Sequence, residues 1–187
     1  SGHDVELIYE LADNMGYNVD LSLMPWGEAL ASVENHSADL VLTAAYSSGE
    51  SSGLLHSIPL VNDQFVAFGT TPYTQIGELY GKRLAVLEGT GCISGFLKPY
   101  RLMENTTEYA SISEVFASIE DGECDYAIVR YSVGRRAVAS LPDSDIKAIG
   151  PTLLNNYVCI GVDPNQSELL DEVNNAIISA SLDGTLS

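Results

Sequence analysis

Apolar residues open the chain at helical spacing. Val5, Ile8, Leu11, Ala12 and Met15 fall on one face, and Gly16 is placed to end the helix. Tyr17, Val19, Leu21 and Leu23 then alternate with polar residues, which predicts a strand. Trp26, Ala29, Leu30 and Val33 return to the helical period, and Leu40-Val41-Leu42 is a short buried-strand run. A loop rich in Ser and Gly covers 44–57, followed by the apolar strand Phe65-Val66-Ala67-Phe68. From residue 82 the same grammar repeats. Arg83–Leu87 reads as a strand, Gly89-Thr90-Gly91 as a tight turn, and 92–103 as a helix. Thr107–Ala110 predicts a short strand, 113–120 a helix, Tyr126–Val129 a strand and 132–140 a helix. Tyr157–Val162 is the last predicted strand and 166–182 the last helix. Strands alternating with helices predict an α/β protein with mainly parallel sheets covered on both faces.

Charge adds a division that periodicity alone does not show. The 187 residues hold 26 acids and 8 bases, a formal charge of −18. Phosphate contacts need clustered Lys and Arg, so a nucleic-acid partner and an anionic membrane surface are both disfavoured. Every base lies between Lys82 and Lys147, whereas 1–68 and 150–187 carry acids alone. This predicts a lobe built from both termini, 1–68 plus 150–187, and an inserted lobe, 69–149. No apolar run approaches the ~20 residues of a membrane helix. A membrane tether is therefore expected only in segments outside this chain.

Four stretches together resemble a known family. Gly2-His3-Asp4-Val5-Glu6-Leu7 is similar to a G-F-x-V-D-L opening. Pro25-Trp26-Gly27-Glu28-Ala29-Leu30, then Asp39-Leu40-Val41-Leu42, is similar to P-W-x-R-A-L and G-x-x-D segments. Leu79–Val86 with Gly89-Thr90-Gly91 is similar to L-x-G-K-x-V-x-V-x-x-G-T. Asp121–Ala127 and Leu182–Leu186 are similar to G-x-x-D-A and D-G-T-L. The chain thus resembles the type II periplasmic solute-binding proteins, in the polar amino-acid-binding group (bacterial family 3) that also supplies extracytoplasmic sensor domains. The resemblance implies a two-lobed Venus-flytrap fold with a solute held in the cleft between lobes. It also implies a first strand ahead of Gly2 and a final helix continuing past Leu186.

The same resemblance places the candidate site residues. The family arginine that clamps a ligand carboxylate falls at Glu50 or Ser51, the aspartate that holds the ligand ammonium falls at Arg130, and the P-W-x-R arginine falls at Glu28. Both charges of the amino-acid clamp are lost or reversed. Arg130 then either receives an anionic group from the inserted lobe, with Glu28 or Glu50 receiving a donor or cation, or it pairs with a neighbouring acid in a degenerate cleft. Trp26 either stacks on a ligand or packs in the core. Tyr46 and Tyr131 are expected near the cleft, and Thr70 at the crossing between lobes.

Gly89, Thr90 and Cys92 lie in a turn between strand and helix, where free backbone N–H groups favour anions. The bland alternative is a tight turn ahead of a helix. The next glycine, Gly95, is one residue too far for a dinucleotide fingerprint. Cys92, Cys124 and Cys159 have no metal spacing and are expected as unbridged thiols. His3, His36 and His56 form no zinc motif, and no nucleophile elbow occurs. No cofactor, metal or catalytic group is therefore expected.

The leading functional expectation is a sensor domain of a membrane receptor that binds a small molecule and sits outside the cytoplasm. The alternatives are a transporter subunit and a degenerate structural domain with an empty cleft that transmits force or forms a homodimer. A cyclohexadienyl dehydratase-like enzyme would need Glu28 or Glu50 as its acid, and nothing else in the chain points that way.

Overall fold

The computed structural model describes residues 2–44 and 53–182, and their side chains apart from residues 2–4, 26, 43 and 44. Its elements are α1 (Gly2–Met15), α2 (Trp26–Glu34), β1 (Leu40–Ala44), β2 (Leu55–His56), β3 (Val61–Asn62), β4 (Phe65–Gly69), β5 (Leu84–Leu87) and β6 (Thr106–Tyr109). These are followed by α3 (Ile112–Glu120), β7 (Tyr126–Arg130), α4 (Tyr131–Ala139), β8 (Lys147–Leu154), β9 (Tyr157–Val162) and α5 (Ser167–Leu182). The chain forms two compact units, a terminal unit of 1–62 with 157–187 and a middle unit of 63–156. β4 and the end of β8, grouped with the termini in the sequence reading, pair inside the middle unit's sheet.

In the terminal unit, β9 lies beside β1, β2 and β3, and all three pairings are antiparallel. Leu7 and Leu11 of α1 are buried with Val173, Ala176, Ile177 and Ala180 of α5 against Ile160 and Val162. That is the outcome of a 3.6-residue apolar period facing a sheet. Gly16 ends α1 with φ +78°, donating its N–H to Asp13 O, while Tyr17 N–H bonds to Ala12 O. This is the left-handed helix stop for which glycine is suited. The predicted strand at 17–23 does not form. Tyr17, Leu21 and Leu23 are exposed, Leu23 at 90%, Val19 is half-buried, and no described strand pairs with the segment. Alternation supplies a face, but a strand also needs a ladder partner.

The middle unit holds a five-stranded sheet in the order β6-β5-β7-β4-β8. β5 runs parallel to β6 and β7, while β4 runs antiparallel to β7 and β8. Along β4, Phe65 and Ala67 enter one core and Val66 and Phe68 the other. Both sheet faces are therefore covered, which explains its unbroken apolar run. Across the two units the sheets are mixed and not mainly parallel. An apolar run records burial but not strand direction, which the connections set.

Two further differences from the sequence pattern are local. β8 was not predicted because Gly150 and Pro151 interrupt it. It is an edge strand with a register shift opposite Phe65–Ala67, the place where proline and glycine are tolerated. The helix expected over 92–103 is reduced to a π-helical turn at Ile93–Leu97 and a 3₁₀ turn at Met103–Asn105. Cys92, Cys124 and Cys159 are buried thiols.

Candidate functional site

Parallel strands end on the same rim of a sheet, so β5 and β7 deliver the residues that follow them to one side of the middle unit. β4 begins and β8 ends there, because Phe65 pairs with both Arg130 and Leu154. Four pieces distant in sequence meet at this rim: the turn 88–92, residues 130–132, Asp63-Gln64, and the end of β8.

The turn after β5 is held by Thr90 N–H to Leu87 O at 3.2 Å, with Gly89 at φ +70°. Gly89 and Gly91 are exposed and Thr90 is half-buried. Cys92 does not share their position. It is 0% exposed with its Sγ 4.0 Å from Ile128 O, and burial pushes the thiol up to about 12. Its side chain has no surface to offer a ligand. The helical segment that follows is too short for a strong dipole contribution at this turn.

On the neighbouring strand, Arg130 is the residue before α4, with extended backbone at φ −61° and ψ 139°. Its side chain is 43% exposed, and Nη1 lies 3.9 Å from Oδ2 of Asp63, a carboxylate only 13% exposed. Asp63 is chiefly engaged elsewhere. It accepts the backbone N–H of Ser132 at 3.1 Å on Oδ1 and the Ser132 hydroxyl at 2.6 Å on Oδ2. Tyr131 N–H donates to Gln64 O at 2.8 Å, and the Thr152 hydroxyl donates to Gln64 Oε1 at 2.6 Å. The opening N–H groups of α4, which no helix can satisfy internally, are thus capped by the two residues that precede β4, far away in sequence. Tyr131 is half-exposed, stacks on Phe68 with centroids 6.4 Å apart, and carries the Arg135 guanidinium 5.7 Å from its own ring centre.

Gly89, Thr90, Arg130 and Tyr131 are therefore brought to one rim. Thr70 is not, because β4 carries it to the opposite rim, and the chain passes between units at 62/63 and 156/157. There Thr70 lines a cavity of about 170 Å³ with Lys82, Arg83, Gly122, Asp125 and Tyr126. Arg83 donates there from each of its three side-chain nitrogens, to both Asp125 oxygens and to Gly122 O. Glu28 lies exposed on α2 in the terminal unit, and Trp26 opens the same helix. Tyr46, Glu50 and Ser51 lie outside the described residues. Sequence reasoning missed Asp63, Gln64 and Ser132, whose meeting depends on contacts across 69 positions. Among the described residues, no His/Cys/Asp/Glu cluster could hold a metal ion, and no helix is long and apolar enough to cross a membrane.

Comparison with solved structures defines the class first. A histidine kinase sensor domain with similarity to periplasmic binding proteins matches with a TM-score of 0.74 at 17% identity, over 98% of this chain and 82% of that one. The second substrate-binding domain assigned to an amino acid ABC transporter from Streptococcus pneumoniae gives 0.80 at 17%, over 100% and 86%. The GluR0 ligand-binding core from Nostoc punctiforme, in complex with L-glutamate, gives 0.73 at 17%, over 100% and 87%. At such identities the likeness speaks to the fold, which is that of the type II periplasmic binding proteins. The chain belongs to the bacterial extracellular solute-binding proteins, family 3, which it matches over residues 1–187. No curated protein matches it. The family and these structural relatives are binding and sensor proteins.

Proposed function

We propose that the chain is the extracytoplasmic solute-binding domain of a membrane-tethered signalling receptor, of histidine kinase or cyclic-dinucleotide enzyme type, in which lobe closure on a small anionic solute is the signal. The observation that carries the ligand half of this reading is the half-exposed Arg130 guanidinium, held by a single contact of 3.9 Å. Its remaining donors can take a carboxylate or similar anion in a charge-assisted pair. The terminal unit has no Lys or Arg at all, so a cationic clamp has to come from the middle unit. Gly89 and Thr90 would add backbone contacts and Tyr131 an aromatic face. Glu28, with Trp26, Tyr46, Glu50 and Ser51, would serve the opposite lobe, where acids suit a donor or cationic group. Cys92 and Thr70 are not carried forward, for the reasons of burial and position given above.

The test is a thermal-shift panel of succinate, L-glutamate, L-arginine and putrescine on the wild type and on Arg130→Gln. A ligand that binds only the native state raises the melting temperature. The expected result is a rise with the anion-bearing compounds in the wild type and none in the variant. Equal rises in both would remove Arg130 from the site. No rise anywhere would favour the degenerate domain, in which the Arg130–Asp63 pair is purely structural. A transporter-type binding subunit is distinguished by the full gene, which would encode no transmembrane output module and sit beside a permease gene.

A further inference from the structure

We infer that Asp63 is a built-in competitor for Arg130, a specificity-determining residue that an anionic ligand has to displace. The inference rests on the anion-binding reading of Arg130. Asp63 is placed for two tasks that pull against each other. Its Oδ2 accepts the Ser132 hydroxyl at 2.6 Å and also faces Arg130 Nη1 at 3.9 Å, while Oδ1 accepts Ser132 N–H. The short bond to Ser132 keeps the carboxylate turned toward α4 and short of a full ion pair. An Arg–carboxylate contact that is free to optimise closes to about 2.7–2.9 Å and becomes bidentate. Arg130 is thus neither neutralised nor unopposed. A weak monoanion gains little from displacing Asp63, whereas a ligand that can engage the guanidinium with two oxygens gains more. The Asp63 N–H also bonds to Asn156 O at 2.9 Å. The residue that guards Arg130 is therefore fixed to the second point at which the chain leaves the middle unit.

Two substitutions at this constellation push succinate binding in opposite directions. Asp63→Asn keeps the size and the hydrogen bonding to Ser132 but removes the opposing charge. It should tighten succinate binding roughly twofold, the scale of one weak, half-exposed ion pair. Ser132→Ala removes the hydroxyl that holds Oδ2, lets Asp63 close on Arg130, and should weaken binding. Calorimetric titration of wild type, Asp63→Asn, Ser132→Ala and Arg130→Gln reads all three effects. A merely structural role for Asp63 would move the first two variants the same way, and that outcome overturns the inference. Succinate binding equal in wild type and Asp63→Asn but lost in Arg130→Gln overturns the competitor role and leaves Arg130 as the contact. Binding unchanged in Arg130→Gln overturns the anion reading itself. Failure of Asp63→Asn to bind succinate overturns the inference, because an unopposed Arg130 should then hold it.

Discussion

The two rims of the middle unit's sheet each carry an arginine beside an aspartate, and the two pairs are built differently. At the rim where β5 and β7 begin, Arg83 meets Asp125 through Nη2 to Oδ1 at 2.9 Å and Nε to Oδ2 at 3.3 Å. Its Nη1 donates to Gly122 O, and its backbone N–H donates to the same carboxylate. At the rim where those strands end, Arg130 reaches Asp63 by one contact of 3.9 Å, and Ser132 takes the better share of that carboxylate. The first arrangement gives each of the three side-chain nitrogens a partner and fastens the start of β5 to the start of β7. The second leaves most of the guanidinium's donors to solvent or ligand. An arginine near an acid is thus uninformative until its donors are counted, and by that count the second rim leaves the larger share of its guanidinium without a partner in the chain.

The largest way to disturb this contrast is through the seat of α4. A Cβ on Gly134 would lie 2.2 Å from the Phe68 ring, so Gly134→Ala has to push α4 off the sheet. We expect a loss of about 3 kcal/mol, the upper range for overpacking, measured by urea denaturation. Because Arg130 precedes that helix and Ser132 lies in its first turn, any ligand response should fall with it, and a variant of wild-type stability would show that α4 is not seated as described.

Next in size is the closed pair. Asp125→Asn removes a charge-assisted, partly exposed network and should cost about 1 kcal/mol at neutral pH while leaving ligand response untouched. The effect should depend on pH with a definite sign. The Arg83 hydrogen bonds and charge hold the Asp125 carboxyl below its ordinary range. Stability from that shift is fully present above the unfolded carboxyl value of about 4 and is lost as pH falls through the lower folded value. The gap between wild type and Asp125→Asn in urea midpoints should therefore narrow below about pH 4. A gap of equal size at pH 3 and pH 7 would mean that the ion pair is not its source.

The same contrast separates what the sequence made legible from what it hid. β4, β5 and β7 were readable because both sheet faces are buried, which turns a strand into an unbroken apolar run. β8 was hidden because an edge strand tolerates Gly150 and Pro151. The segment 17–23 misled because alternation predicts a face and not a partner. At the site, Arg130 stood out through a family resemblance that marked its position as reversed in charge. Asp63 looked like one more acid among 26. Its role comes from the pairing of β4 with β7, which sets it against the start of α4, and no local pattern encodes that meeting. With the observed boundaries, the terminal unit holds fourteen acids and no Lys or Arg, and the middle unit holds the other twelve acids and all eight bases. Moving Asp63 across that boundary places the competing carboxylate and its arginine in the same unit.

The smallest expected effect is the sharpest test of the comparison. Arg130→Gln keeps a shorter polar side chain and removes the charge and one contact of 3.9 Å from a half-exposed position. Exposed pairs of this kind contribute about 0.5 kcal/mol or less, so the melting temperature should move by no more than about 2 °C. The cap on α4 does not run through the guanidinium, since Ser132 and Gln64 make their bonds without it. A stability loss matching that of Asp125→Asn would mean that both rims use arginine as a fastener, and the distinction between them would collapse. A variant that melts like the wild type yet no longer responds to an anion would assign the guanidinium to the ligand, because a group that adds nothing to the fold and is needed for binding has its partner outside the chain.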